Sequence, residues 1–192
     1  MRGLAQRFVR PSLRSARPMS TLVIAEHAEG ALRPHTYATI TAASQLPGEI
    51  TVLVTGEGCA SAAQAAANAA GVTRVVSVDS PACAKPIAES VAAVICAAVK
   101  GAAESGSAFT HVVAAASNLG KNAIPRAAAL LDSAPVSDVI EIKDAQTFVR
   151  PTCEERRLRE ARRRLVDSPS AASHFCARAR ALPGTRATRS RP

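Results

Sequence analysis

Apolar residues along this chain fall into short continuous blocks, set between segments where they recur every third or fourth position. Leu22-Val23-Ile24-Ala25 is the first block, bounded by polar residues, and reads as a buried strand. After Pro34, a residue suited to a helix start, Tyr37, Ile40, Ala43 and Leu46 lie three apart and predict a helix that Pro47-Gly48 stops. Ile50–Thr55 is a second strand, ending in Gly56 and Gly58. Ser61–Ala70 is almost wholly Ala and predicts a helix packed close to its neighbours, stopped by Gly71. Val72–Val78 follows as a third strand and Pro86–Ala103 as a longer helix, broken by the Gly/Ser segment Glu104–Ala108. Thr110–Ala116 is a fourth strand, Ala123 to Leu131 a helical pattern, and Val136–Ile142 a fifth strand.

Strands that are continuously apolar are buried on both faces, and alternation with helices is the mark of parallel pairing. The prediction is therefore an α/β fold: an open, doubly wound parallel sheet of about five strands with helices on both faces. In such sheets, ligands and partners meet the carboxyl ends of the strands. Those ends are Glu26-His27, Thr55-Gly56, Asp79-Ser80, Ser117–Lys121 and Lys143-Asp144.

The stretch Thr110–Arg126 carries the strongest candidate chemistry. A strand there feeds a helix through Ser, Asn, Gly and Lys, an arrangement that presents backbone N–H groups to an anion. Ser117, Asn118, Gly120, Lys121 and Arg126 are accordingly the candidate anion or partner contacts. The plainer alternative stays open, in which Ser117 and Asn122 cap a helix and Gly120 permits a tight turn. The spacing is neither Walker A nor GxGxxG. A helix beginning near Asn122 would place Pro125 in its first turn, where a missing N–H costs little, so the later start is expected. His27 and His111 sit at strand ends without a carboxylate partner visible in the sequence, which argues against general-base roles. No Ser/His/Asp order, paired carboxylate or metal-ligand spacing points to an enzyme. The catalytic and metal expectation is none.

Composition refines this picture. Of 192 residues, 47% are hydrophobic but only 3% aromatic, so the core must be aliphatic and rich in Ala. The net charge of +9 belongs to the two ends. Residues 1–20 hold five Arg and no acid, whereas residues 21–150 hold eight Lys/Arg against eleven Asp/Glu. Residues 151–192 hold eleven Arg, no Lys and four acids. A mildly acidic middle argues against a nucleic-acid face. The five cysteines are widely spaced, without CxxC, and read as reduced and unlinked. The longest apolar run, Val91–Val99, is about half of what a membrane-spanning helix needs. Residues 1–19 have the Arg-rich, acid-free, amphipathic character of a mitochondrial presequence, the alternative being a basic arm.

The order of the pieces adds a resemblance. STLVIAEH at Ser20–His27, SNLGKNAIPRAAALL at Ser117–Leu131, PVSDVIEI at Pro135–Ile142 and TFVRP at Thr147–Pro151 together resemble the alpha subunit of the electron transfer flavoprotein. The resemblance covers residues 20–150 and implies an amino-terminal α/β domain, related to the universal stress proteins, that docks against a beta subunit. It implies FAD as the family cofactor, with most of its site in a carboxyl-terminal domain, so that this chain alone binds none and is redox-inactive. The complete flavoprotein would take electrons from acyl-CoA and other matrix dehydrogenases to a quinone oxidoreductase, in the mitochondrial matrix. Neither a nucleic-acid partner nor membrane insertion is implied.

The departure begins at Pro151. Arg156, Arg157, Arg159, Arg162, Arg163 and Arg164 crowd one segment where the family pattern would continue into an aromatic-Gly strand and a flavin domain. Residues 151–192 are expected to be a disordered or out-of-frame tail, or a lineage-specific basic extension. A second functional reading, of a different class, is a stand-alone adenine-nucleotide-binding module of the universal-stress-protein type. It lacks the expected phosphate loop, since Gly120 stands without a second glycine beside it.

Overall fold

The computed structural model describes residues 19–151, with the backbone of two short tail segments, 158–162 and 173–177. The expected presequence, except Met19, and the remainder of the Arg-rich tail lie outside the described residues.

The first half of the chain runs β1 (Ser20–Ala25), a two-residue ribbon of β2 (His27–Ala28) and β3 (Ala31–Leu32), α1 (Pro34–Ala43), β4 (Glu49–Gly56), α2 (Ala60–Ala67) and β5 (Arg74–Asp79). A single 3₁₀ turn, Pro81–Cys83, leads to α3 (Ala88–Glu104), β6 (His111–Ala115) and α4 (Asn118–Leu130). The chain continues through β7 (Pro135–Val139), β8 (Glu141–Ile142), β9 (Thr147–Pro151), β10 (Leu158–Arg162) and β11 (Ser173–Ala177).

Six strands form one parallel sheet in the order β5-β4-β1-β6-β11-β7. Strand β1 is central and wholly apolar after Thr21, because both of its faces are covered. Leu22, Ile24, Leu53, Val112 and Ala114 point to one side, against Val91, Ile95, Cys96, Ala123, Ile124 and Ala127 of α3 and α4. Val23, Ala25, Val52 and Val54 point to the other, against Ile40, Ala43, Ala62 and Ala66 of α1 and α2. This period-two alternation is the direct consequence of strand geometry. The expected open sheet with helices on both faces is thus present. Small residues let the layers approach closely: Ala62 and Ala66 have no exposed surface.

The structure departs from the sequence reading in three places. Helix α4 starts at Asn118, not near Asn122, and so contains Pro125 in its interior. Capping decides this, because the Ser117 hydroxyl accepts the Gly120 N–H at 2.9 Å and satisfies an N–H that the later start would leave open. Tyr37 is exposed, and the buried face of α1 is instead Thr36, Thr39, Ile40 and Ala43. The expected fifth strand divides at Ile140: β7 stays in the main sheet, while β8 turns into a separate three-stranded sheet, β10-β9-β8. Asp138, with φ of 55°, marks the bend just before that division.

Of the Arg-rich tail, β10 pairs antiparallel with β9, and β11 lies in the main sheet between β6 and β7. No helix among the described residues is long and apolar enough to cross a membrane.

Candidate functional site

The chain leaves β1 toward β4 on one side and later returns to place β6 on β1's other side. Connections from β1 and β6 therefore diverge, and a crevice opens between their carboxyl ends, as strand-order reversals require. This crevice has a volume of about 560 Å³. Its walls are the turn after β1 (Glu26 to Gly30, with Arg33 and His35), the end of β4 (Thr55 to Glu57), Cys83, Ala84 and Pro86, and the start of α4 (Ser117 to Leu119).

Glu26 organises it. Thr36 pins its backbone, accepting its N–H at 3.0 Å and donating to its carbonyl at 2.9 Å. Its carboxylate then accepts two hydrogen bonds from opposite walls. The Ser117 hydroxyl donates to Oε1, and the Nε2 of His35 lies 3.0 Å from Oε2. A carboxylate only accepts, so His35 carries its proton on Nε2. The Ser117 oxygen receives the Gly120 N–H in turn, giving a continuous chain from His35 on α1 to the first turn of α4.

His27, beside it, places Nε2 at 3.0 Å from the Thr55 carbonyl, and its buried Nδ1 has no hydrogen-bond partner. Gly56 makes room for that ring, since a Cβ there would stand 2.6 Å from Nε2. His111 is a core residue: its Nε2 meets the Ala145 carbonyl at 2.8 Å and its ring meets Phe148 edge-on.

The five sequence-selected residues do not converge. Ser117 and Asn118 line the crevice. Gly120 is buried, and a Cβ on it would lie 2.0 Å from the Ala115 carbonyl oxygen, so it serves the close approach of α4 to β6. Lys121 reaches away to Asp138, Nζ to Oδ1 at 3.1 Å, and ties α4 to β7. Arg126, half exposed, pairs with Glu89 of α3 at 2.8 Å. Asn118 and Arg126 share a second, open groove of about 520 Å³ between α3 and α4, with Glu89, Leu119 and Asn122. Glu26 and His35 were the residues that sequence reasoning missed as a pair with Ser117. Glu26 and Ser117 stand 91 positions apart, and only the adjacency of β1 and β6 brings them together.

A dinucleotide's pyrophosphate needs free N–H groups and a positive or neutral wall. Here the Gly120 N–H is already bonded, and the Glu26 carboxylate occupies the same end of the helix. Glu29 and Glu57 add two more acids to the lining, against Arg33 and the two histidines. The crevice does not fit FAD. Among the described residues no group of three or more His, Cys, Asp or Glu side chains is placed to hold a metal ion. Cys59, Cys83 and Cys96 are buried free thiols.

A doubly wound parallel sheet with its crevice at the reversal of strand order defines a Rossmann-like α/β domain. The chain belongs to the electron transfer flavoprotein family, whose domain matches residues 21–164. It is 43% identical over 131 residues to the mitochondrial electron transfer flavoprotein subunit alpha of Dictyostelium discoideum, covering 68% of this chain and 37% of that protein. It is also 43% identical over 133 residues to the subunit alpha of Pseudomonas aeruginosa, covering 69% and 41%. A probable mitochondrial subunit alpha of Caenorhabditis elegans is 41% identical over 136 residues, covering 71% and 40%. The chain thus spans about two-fifths of the length of these relatives.

Proposed function

We propose that this chain is the amino-terminal, beta-subunit-docking domain of an electron transfer flavoprotein alpha subunit, acting as a scaffold and carrying no redox group itself. The observation that carries the reading is the family match, which spans residues 21–164, while the chain covers only about two-fifths of the relatives' length. The complete flavoprotein would move electrons from acyl-CoA and other matrix dehydrogenases to the respiratory quinone pool in fatty acid oxidation. The mitochondrial names of two of these relatives and the basic amino terminus support a matrix location.

The crevice chemistry supports the redox-inactive part of the proposal. A carboxylate stands where a cofactor phosphate would need a donor, and this also opposes the adenine-nucleotide module. Asn118 and Arg126 are exposed on the open groove between α3 and α4, where a partner could reach them. The test is the absorption spectrum of the purified chain after gel filtration in the presence of added FAD. The proposal expects no flavin band to travel with the protein, and a stoichiometric band contradicts it.

A further inference from the structure

We propose that Glu26 is the specificity-determining residue of the strand-end crevice: its carboxylate acts as a resident anion at the start of α4 and excludes phosphate-bearing ligands. The inference goes beyond the docking role and stands whether or not a beta subunit binds.

Four observations combine. The crevice is roomy enough for a small ligand, at about 560 Å³, and sits where this class of sheet receives one. The first turn of α4 carries the positive end of a 13-residue helix and would attract an anion. The Glu26 side chain is 12% exposed and already bonded to that turn through Ser117, with His35 as its second donor. Its backbone is held by Thr36, itself buried, and its carboxylate by Ser117 and His35 from opposite walls.

Repulsion sets the size of the effect. A monoanionic phosphate about 6 Å from the carboxylate, at an effective dielectric of 20, is weakened roughly 100-fold. Glu26→Gln keeps the shape and removes the charge. Its amide still accepts from Ser117 or from His35.

The full-length chain and its Glu26→Gln variant are compared by equilibrium dialysis against inorganic phosphate and against AMP at constant ionic strength, with thermal melts at the same concentrations. The expected result is saturable binding of phosphate by the variant at least tenfold tighter than by the wild type. A ligand-dependent rise in Tm should appear in the variant alone. AMP binding tighter than phosphate by the variant would show that the crevice also takes the base, and equal affinity that it takes the phosphate only; both support the exclusion. Affinities within threefold of each other in the two proteins, or no binding by a cooperatively melting variant, overturn it. Should the variant lack a cooperative melt, the wild type decides: saturable phosphate binding in the millimolar range overturns the proposal, and none supports it.

Discussion

Gly120→Ala separates two meanings of the same glycine. Ala is the better helix former by about 1 kcal/mol, so a glycine present only for turn chemistry would be stabilised by the change. The structure reverses that sign. An added Cβ would stand 2.0 Å from the Ala115 carbonyl oxygen and 3.2 Å from its carbon, both backbone atoms that cannot rotate aside. Bringing the oxygen contact to the 3.0 Å that real Cβ atoms require moves the first turn of α4 by about 1 Å. Overpacking of this kind costs about 1–3 kcal/mol. Displacing Ser117 from its cap and from Glu26 adds about 1 kcal/mol. After the helix-propensity gain, the net loss is about 1–3 kcal/mol. For a domain of this size that lowers Tm by roughly 4–12 °C. Calorimetry, with urea unfolding to show an unchanged m-value, reads the effect directly. A variant as stable as wild type, or more so, would refute the packing argument.

Three further outcomes follow from the same geometry. Ile124→Ala, at a side chain 1% exposed between the sheet and α3, should cost about 2–5 kcal/mol in urea unfolding; under 1 kcal/mol would mean that this layer is not packed as described. Removing the Glu89–Arg126 pair, half exposed on both sides, should cost under about 1 kcal/mol, and a double-mutant cycle finding strong, salt-insensitive coupling would contradict its solvated placement. Burial, with the nearby Asp79 charge, raises the Cys59 thiol, and burial raises Cys96 against the opposing Lys100. Folding therefore holds both protonated where the unfolded chain ionises. The stability this contributes is full below the unfolded thiol value of about 8.5 and is lost as pH rises through the raised folded values. Iodoacetamide labelling of these two thiols should track urea unfolding, and rapid labelling in the native protein would contradict it.

How much of this was legible in the sequence depends on the range of the interaction that decides each feature. Strands β1, β4, β5 and β6 and the helices between them follow from local patterning. Leu22 to Ala25 and Ile50 to Thr55 are apolar at every position or nearly so, and only a doubly covered strand has that need. Capping was a closer contest. Pro125 pointed to a late helix start, but the bond from the Gly120 N–H to Ser117 outweighed the lost interior hydrogen bond. The exposure of Tyr37 shows the limit of spacing alone, since Thr36 and Thr39 take the buried face through hydroxyl bonds to Glu26 and His35.

What the sequence could not carry is the non-local pairing. β11 joins the sheet between β6 and β7, and its two neighbours lie far back along the chain. The Glu26–Ser117 contact depends on strand order, which no local pattern encodes. Lys121 and Arg126 read in sequence as candidate anion or partner contacts, and the acids they pair with, each contributed by another element, could not be named from it.

Association with an electron transfer flavoprotein beta subunit tests the central claim most directly. The purified chain would be mixed with a beta subunit at micromolar concentration and followed by sedimentation velocity, with flavin absorbance recorded across the boundary. The account predicts a one-to-one complex whose boundary carries no flavin bound by this chain, weakened by Arg126→Glu on the open groove. Independent sedimentation of the two proteins at all concentrations would contradict it.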